Sequence, residues 1–103
     1  MPKNKKAVSR SRRGKKALVE APPEQSFWMS SGLMLPNLRR LEEALRNMMT
    51  DEEYAYHANR QKNDFAKWVA EVLRDAACAQ ALRRAKTRRA AATAVARALK
   101  QYE

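Results

Sequence analysis

The feature that most constrains the fold is an amphipathic segment that begins at Asn63 or Asp64. A short polar side chain at either position can cap a helix by accepting a hydrogen bond from a free N–H of its first turn. The apolar residues that follow have the i, i+3, i+4, i+7 spacing of one helical face, and they are Phe65, Trp68, Val69, Val72, Leu73 and Ala76. This segment predicts a helix, reaching about Arg74, at the centre of a small core.

Two shorter helices are predicted upstream of this segment. The first runs from about Leu38 to Met49, and Asn37 is well placed as its N-cap. The second covers about residues 51–59, and Thr50 and Glu53 have the spacing of a capping box. In a capping box each side chain accepts a hydrogen bond from the other residue's backbone N–H, so the start of the second helix is well specified.

The segment before these helices is predicted to be extended. Pro22 and Pro23 mark residues 20–26 as a linker, because proline cannot donate a backbone hydrogen bond. Gly32 and Pro36 then interrupt an apolar strip that is expected to lie on the helices through Phe27, Met29, Leu33 and Leu35. Trp28 is predicted to join this core, and the alternative is that its ring stacks on a base.

The C-terminal part is Ala-rich and has high helix propensity. Asp75 can start a fourth helix, or the third helix can continue, since neither Gly nor Pro occurs after Pro36. Residues 83–89 carry charge around most of a helix circumference, so we expect this stretch to project from the core. A coiled-coil dimer through Val95, Leu99 and Tyr102 is a minor alternative.

The fold class that follows is all-α. We expect a small three- to four-helix domain with a disordered or extended basic N-terminal arm and a long basic Ala-rich C-terminal helix. The corresponding division is an arm at residues 1–19, a linker at 20–26, a helical core at 27–82 and a basic helical extension at 83–103. A core of about 60 residues is only marginally stable by burial alone, so partners often help.

One motif carries a family resemblance. The run Tyr-His-x4-Lys-Asn-Asp-Phe-Ala-x-Trp-Val at residues 56–69 is similar to a small helical domain of uncharacterised function found in archaeal and bacterial proteins. Phe27, Gly32, residues 38–41 and residues 72–75 fit the same pattern, so the match covers roughly residues 26–83. The resemblance implies a helical fold and a fourth helix after Asp75, and it brings no catalytic or ligand-binding residue.

Positive charge is concentrated at the two ends of the sequence. Residues 1–19 carry eight Lys or Arg and no acid, residues 20–75 carry seven bases and ten acids, and residues 76–103 carry seven bases and one acid. The net charge is +11, and the two basic ends flank a slightly acidic middle. This pattern favours a polyanionic partner, and nucleic acid is the first candidate. For the arm, the alternatives are a solubilising or targeting tail, an acidic protein and anionic lipid.

The candidate nucleic-acid-binding residues lie in these basic ends. A Lys or Arg that meets a phosphate releases condensed counterions, which gives affinity with little sequence selection. Small side chains at residues 90–98 would also let a helix approach the phosphates closely. The predicted contacts are Lys3, Lys5, Lys6, Arg10, Arg12, Arg13, Lys15 and Lys16 in the arm and Arg83, Arg84, Lys86, Arg88, Arg89, Arg97 and Lys100 in the extension.

The leading prediction is a non-enzymatic protein that clamps structured RNA, with ribosomal RNA as the first expectation and other proteins of a large assembly as further partners. The alternative is a DNA-binding chromosomal protein, because the Lys, Arg, Ser and Gly of the arm resemble a histone tail. A further alternative is an interaction adaptor whose core surface binds a protein. The nucleic-acid predictions place the chain in the cytoplasm, at the ribosome or the nucleoid.

An enzymatic function is not predicted. His57, the chain's one histidine, could in principle act as a base with Glu52, Glu53 or Asp64, but the sequence has no phosphate-binding glycine loop and no recognisable nucleophile motif. We expect His57 to be hydrogen-bonded between the second and third helices. No catalytic residue, cofactor, metal site or small-molecule substrate is predicted.

Cysteine content and hydropathy bear on the compartment. Cys78 has no second cysteine to pair with, which fits a reducing, intracellular environment. No apolar run approaches the roughly 18 residues that a membrane-spanning helix needs. The sequence therefore predicts a soluble protein that is not secreted and has no membrane partner.

Overall fold

The fold is mostly helical and is known from a computed structural model that describes residues 15–102. In this part of the chain, five α-helices follow a hairpin of two very short strands. The expectation of a three- to four-helix domain followed by one long C-terminal helix is thus not confirmed in its helix count for the described residues. Side chains at Asp75 and Thr87 each cap a new helix, so the region after residue 63 contains three helices.

The strip before the helices is a hairpin. Strand β1 (Phe27–Trp28) pairs antiparallel with β2 (Met34–Leu35), with Phe27 opposite Leu35, and the turn uses Gly32 at φ +95°. Phe27 and Leu35 are buried, as predicted. The core prediction for Trp28 is wrong: its side chain is on the other face of the strand and is 54% exposed, and Nε1 donates to the carbonyl of Pro23 at 3.0 Å.

The stretch expected to be a linker packs against the helices. Pro23–Gln25 forms a single 3₁₀ turn, and Ala21 and Ser26 on either side of it are buried. The indole Nε1 of Trp68 donates to the Gln25 carbonyl at 2.8 Å, a contact that spans 43 residues of sequence. This segment is therefore part of the domain's surface layer.

The first two helices begin at the predicted residues. Helix α1 (Leu38–Glu43) is capped by Asn37, whose side chain accepts from the Arg40 N–H, and it continues as a π-helical segment, Ala44–Met48. Helix α2 (Asp51–His57) starts with the predicted capping box of Thr50 and Glu53. It ends two residues earlier than expected, because the chain is extended again at residue 58.

The central helix, α3 (Asp64–Glu71), is capped by Asn63 and buries Phe65, Trp68 and Val69. It is shorter than predicted, since Arg74 has a left-handed φ of 60° and the Asp75 N–H turns back to the Val69 carbonyl at 3.1 Å. The fourth helix, α4 (Ala76–Arg84), then starts with Asp75 as its N-cap.

The last helix, α5 (Arg88–Leu99), begins at Thr87, whose side chain accepts from the Ala90 N–H at 3.0 Å. It lies against α1 and α4, and Ala91, Ala92 and Val95 are almost fully buried in this contact. The expectation that the chain projects from the core after residue 82 is therefore not met. Small alanine side chains allow close helix packing, so the hydrophobic core continues through α5 to Tyr102.

Candidate nucleic-acid interface

The predicted contact residues divide into four groups. Six bases of the arm lie outside the described residues, and they are Lys3, Lys5, Lys6, Arg10, Arg12 and Arg13. The others lie at the start of the described chain, at the corner between α4 and α5, and at the end of α5. Most of these side chains are exposed, and several line two neighbouring surface grooves.

The first groove lies beside the loop between α2 and α3, at the C-terminal end of α4. Its volume is about 560 Å³, and four cationic side chains line it: Arg60, Lys62, Arg83 and Lys86. Amide side chains from the same loop contribute further hydrogen-bonding groups, and none of the described residues that line the groove is acidic. Such a surface is suited to binding an anion with several oxygen atoms.

The second groove runs between α4 and α5. Its volume is about 740 Å³, its walls are largely alanine from both helices, and its cationic residues are Lys16, Arg84 and Arg97. Asp75 is the single carboxylate among the described residues that line it, and this carboxylate is buried and hydrogen-bonded to other groups. The positive charges of this groove are therefore not neutralised by an exposed acid within it.

The two grooves meet at Ala85, the C-cap of α4, which lines both of them. Together their cationic side chains form one surface, which we call the basic track: Arg60, Lys62, Arg83, Lys86, Arg84, Arg97 and Lys16. Arg83 and Arg84 are neighbours in the last turn of α4 and line different grooves, so a single helix end supplies cations to both parts.

Arg88 differs from the other predicted contacts because it is engaged within the protein. Its Nε donates to Asp51 at 2.8 Å, and its Nη1 donates to the Leu45 carbonyl at 2.7 Å. Through these bonds it ties the start of α5 to the π-helical segment after α1 and to the first residue of α2. Arg88 lines neither groove, and its contacts indicate a structural function.

Three other predicted residues, Lys15, Arg89 and Lys100, are exposed but line neither groove. Conversely, the sequence prediction missed two members of the basic track, Arg60 and Lys62. A signal for them existed, because they lie between two capped helices in a short polar loop that has to be on the surface. They are not part of a charge run, since that loop contains only two bases.

A buried histidine supports the loop beside the first groove. His57 is hydrogen-bonded to the carboxylate of Asp64 at 3.0 Å, which links α2 to α3 as predicted, and it packs against the rings of Phe27 and Phe65. The same carboxylate binds Lys62 at 3.0 Å. Burial acts to raise the pKa of Asp64, but the hydrogen bonds from His57 and Lys62 outweigh it and lower this pKa overall.

A second buried cluster closes the other end of α4. Asp75 accepts from the Cys78 N–H at 2.9 Å and from the Tyr102 hydroxyl at 2.6 Å. Burial raises the pKa of Cys78 to about 12, with the charge of Asp75 acting in the same direction. Burial and the hydrogen bond to Asp75 likewise raise the pKa of Tyr102. These contacts fix the chain end against α4 beside the second groove.

Residues 15–102 contain no group of three His, Cys, Asp or Glu side chains arranged to hold a metal ion. Within the same range, none of the helices has the length and apolar character needed to cross a membrane.

Comparisons of the chain with protein-family models, with curated proteins and with solved structures found no significant match.

Proposed function

We propose that this protein is a non-enzymatic nucleic-acid-binding protein that holds phosphates along the basic track. The observation that carries the proposal is that two grooves sharing Ala85 have seven cationic side chains and no exposed carboxylate among their described lining residues. Structured RNA, and ribosomal RNA first, is the proposed partner, within an assembly that contains other proteins.

The binding chemistry follows from the side chains. Four of the seven track residues are arginine, and a planar guanidinium can donate two parallel hydrogen bonds to one phosphate. The alanine walls of the second groove let a sugar-phosphate backbone come close to the helices. Lys16 lines the track at the start of the described chain, and the six further bases of the arm precede it in the sequence.

A paired-charge experiment tests the track. The double variant Arg83→Gln with Lys86→Gln removes two cations from the first groove. We expect weaker binding to RNA, and we expect the slope of log K against log salt concentration to become shallower by about 2. Arg40→Gln with Lys67→Gln is the matched control, because both residues are exposed, line neither groove of the track and carry the same total charge. Equal losses in the two double variants would refute a localised site.

A fractionation experiment distinguishes RNA from DNA. The protein is sedimented from its own cells at low salt, after separate treatment with RNase and DNase. Loss of co-sedimentation with ribosomal particles after RNase treatment supports the RNA proposal. Release by DNase alone would instead assign the protein to the nucleoid, where the histone-like composition of the arm would fit DNA.

A protein-binding function is the second candidate, and a specific surface favours it. Met48 is an exposed apolar residue, and it lines a groove of about 400 Å³ with Leu33, Met34 and two glutamates, Glu20 and Glu43. If this groove carried the main function, the affinity for a protein partner would change little with salt concentration. Met48→Gln would then weaken binding of that partner more than the track variants do. Indifference of the sedimentation to both nucleases would favour this second function.

A further inference from the structure

Tyr56 is an exposed aromatic residue that the protein core does not use. It lies in the last turn of α2, whose inward face is formed by Tyr54 and His57, and its side chain is 61% exposed. A tyrosine that is neither buried nor part of the core has a large apolar surface available for a partner.

The ring of Tyr56 is held in place by its neighbours. It packs edge-to-face on the buried ring of His57, with 4.9 Å between centroids and an interplanar angle of 88°. The Nζ of Lys62 lies 5.1 Å from its centroid and also binds the Asp64 carboxylate. Because His57 is itself anchored to Asp64, the exposed ring is already oriented, so a partner that stacks on it loses little conformational entropy.

Lys62 connects this ring to the basic track, since the same side chain lines the first groove. A nucleotide whose phosphate reaches Lys62 therefore brings its base close to Tyr56. In a uniform duplex the faces of the bases are covered by their neighbours, so an aromatic side chain can stack only on an unpaired or splayed base.

We infer that Tyr56 is a stacking platform for an unpaired base, and that the nucleic acid bound at the first groove is a single-stranded or looped segment of RNA. This inference rests on the proposed nucleic-acid function and narrows it to a class of substrate. In this inference, stacking on Tyr56 distinguishes unpaired RNA from duplex RNA, while the cations of the groove supply most of the affinity.

The test compares two fluorescein-labelled RNAs of the same sequence, one single-stranded and one paired with its complement, by fluorescence anisotropy with the full chain. Tyr56→Ala is expected to weaken binding of the single strand by roughly 5- to 100-fold and to leave the duplex affinity unchanged. Tyr56→Phe keeps the ring and is expected to bind like the unaltered protein. Trp28→Ala is the matched control, because Trp28 is also exposed. Neither ring lines either groove, but Tyr56 contacts the track residue Lys62, whereas the Trp28 indole is bonded to the Pro23 carbonyl.

The outcomes separate the inference from the function on which it rests. Unchanged single-strand affinity in Tyr56→Ala, or an equal loss in Trp28→Ala, overturns the assignment of Tyr56 and leaves the nucleic-acid proposal standing. Failure of the unaltered protein to bind either RNA overturns both. A single-stranded DNA of the same sequence shows whether the site requires ribose, and tighter binding of DNA than of RNA would overturn the choice of RNA.

Discussion

Single residues decide which of the predicted cations are available to a partner. Arg83 and Arg88 are equivalent in the sequence pattern, yet Arg83 lines the first groove whereas Arg88 is bonded to Asp51 and to the Leu45 carbonyl. Asp51 is 84% exposed, so this ion pair alone contributes little, and the bond to the carbonyl is the more important contact.

Arg88→Ala is therefore expected to lower the free energy of unfolding by about 1–2 kcal/mol. Arg89→Ala is the matched control, since it removes the same charge from an exposed neighbour and should change stability by less than about 0.5 kcal/mol. Urea unfolding followed by circular dichroism measures both. Equal effects of the two substitutions would contradict the structural function of Arg88.

The buried thiol of Cys78 makes stability depend on pH at the alkaline end. Its pKa is raised to about 12 in the folded chain, whereas an unfolded cysteine has a pKa of about 8.5. Stability is fully present below the unfolded pKa, and it is lost as the pH rises toward the folded one, by up to about 1.4 kcal/mol per pH unit. Tyr102 acts in the same direction, since its pKa is also raised.

We expect the free energy of unfolding of the unaltered protein to fall steadily above about pH 8.5. The free energy of unfolding of the Cys78→Ala variant should fall less steeply with pH. The substitution removes a small buried side chain, so the variant starts from a somewhat lower stability, and the comparison concerns the slope. Urea titrations at several alkaline pH values give this slope. Parallel curves for both proteins would exclude Cys78 as the source.

At the scale of elements, helix starts were predictable because the signals are local. Asn37, Thr50 with Glu53, and Asn63 each cap the helix for which they were identified, and the polar side chain and the N–H it accepts from are three residues apart. The packing position of α5 was not predictable from such local signals. Its buried face is mostly alanine, which hydropathy hardly distinguishes from a solvated helix of high propensity, and its packing on α1 is a long-range contact.

The grouping of basic side chains into one groove likewise depends on contacts between segments that are far apart in the sequence. The charge runs correctly identified Arg83, Arg84 and Lys86 as surface cations, but nothing in the sequence pattern showed that Arg60 and Lys62 share a groove with them. The contact that joins these parts is the Asn63 side chain, which caps α3 and also donates to the Leu82 carbonyl at 3.2 Å.

The packing of α5 gives a prediction for this helix. Val95→Ala is expected to lower the free energy of unfolding by about 1–3 kcal/mol, because it leaves a cavity between α5 and the core. Thr93→Ala, on the exposed side of the same helix, should change it by less than about 0.5 kcal/mol. Thermal or urea unfolding measures the difference, and indifference to Val95→Ala would mean that the helix is not part of the core.

For the molecule as a whole, charge is segregated. Acidic residues at 42–43 and 51–53 lie around α1 and the start of α2, where Arg40 and Arg46 pair with two of them. The basic track instead follows the loop between α2 and α3, the C-terminal end of α4 and the groove between α4 and α5. In the proposed function, such segregation would orient the molecule toward a polyanion before contact and accelerate association at low salt.

The arm adds six bases to this arrangement, so replacing all of them with glutamine should flatten the dependence of log K on log salt by up to about 5. The replaced residues are Lys3, Lys5, Lys6, Arg10, Arg12 and Arg13. Changing Lys3, Lys5 and Lys6 to arginine keeps the charge and should keep the slope. An unchanged slope in the glutamine variant would exclude the arm from phosphate contact.

One backbone contact determines how the arm and the track cooperate. The Lys16 N–H donates to the Gln101 carbonyl at 2.8 Å, and Lys16 itself lines the second groove, so the arm is tethered at the edge of the track. In the proposed function, binding of the arm would become intramolecular once the track is occupied, at an effective concentration on the order of millimolar. The same residues supplied as a separate peptide at micromolar concentration would contribute almost nothing, so the proposed avidity depends on this attachment point as well as on the charges.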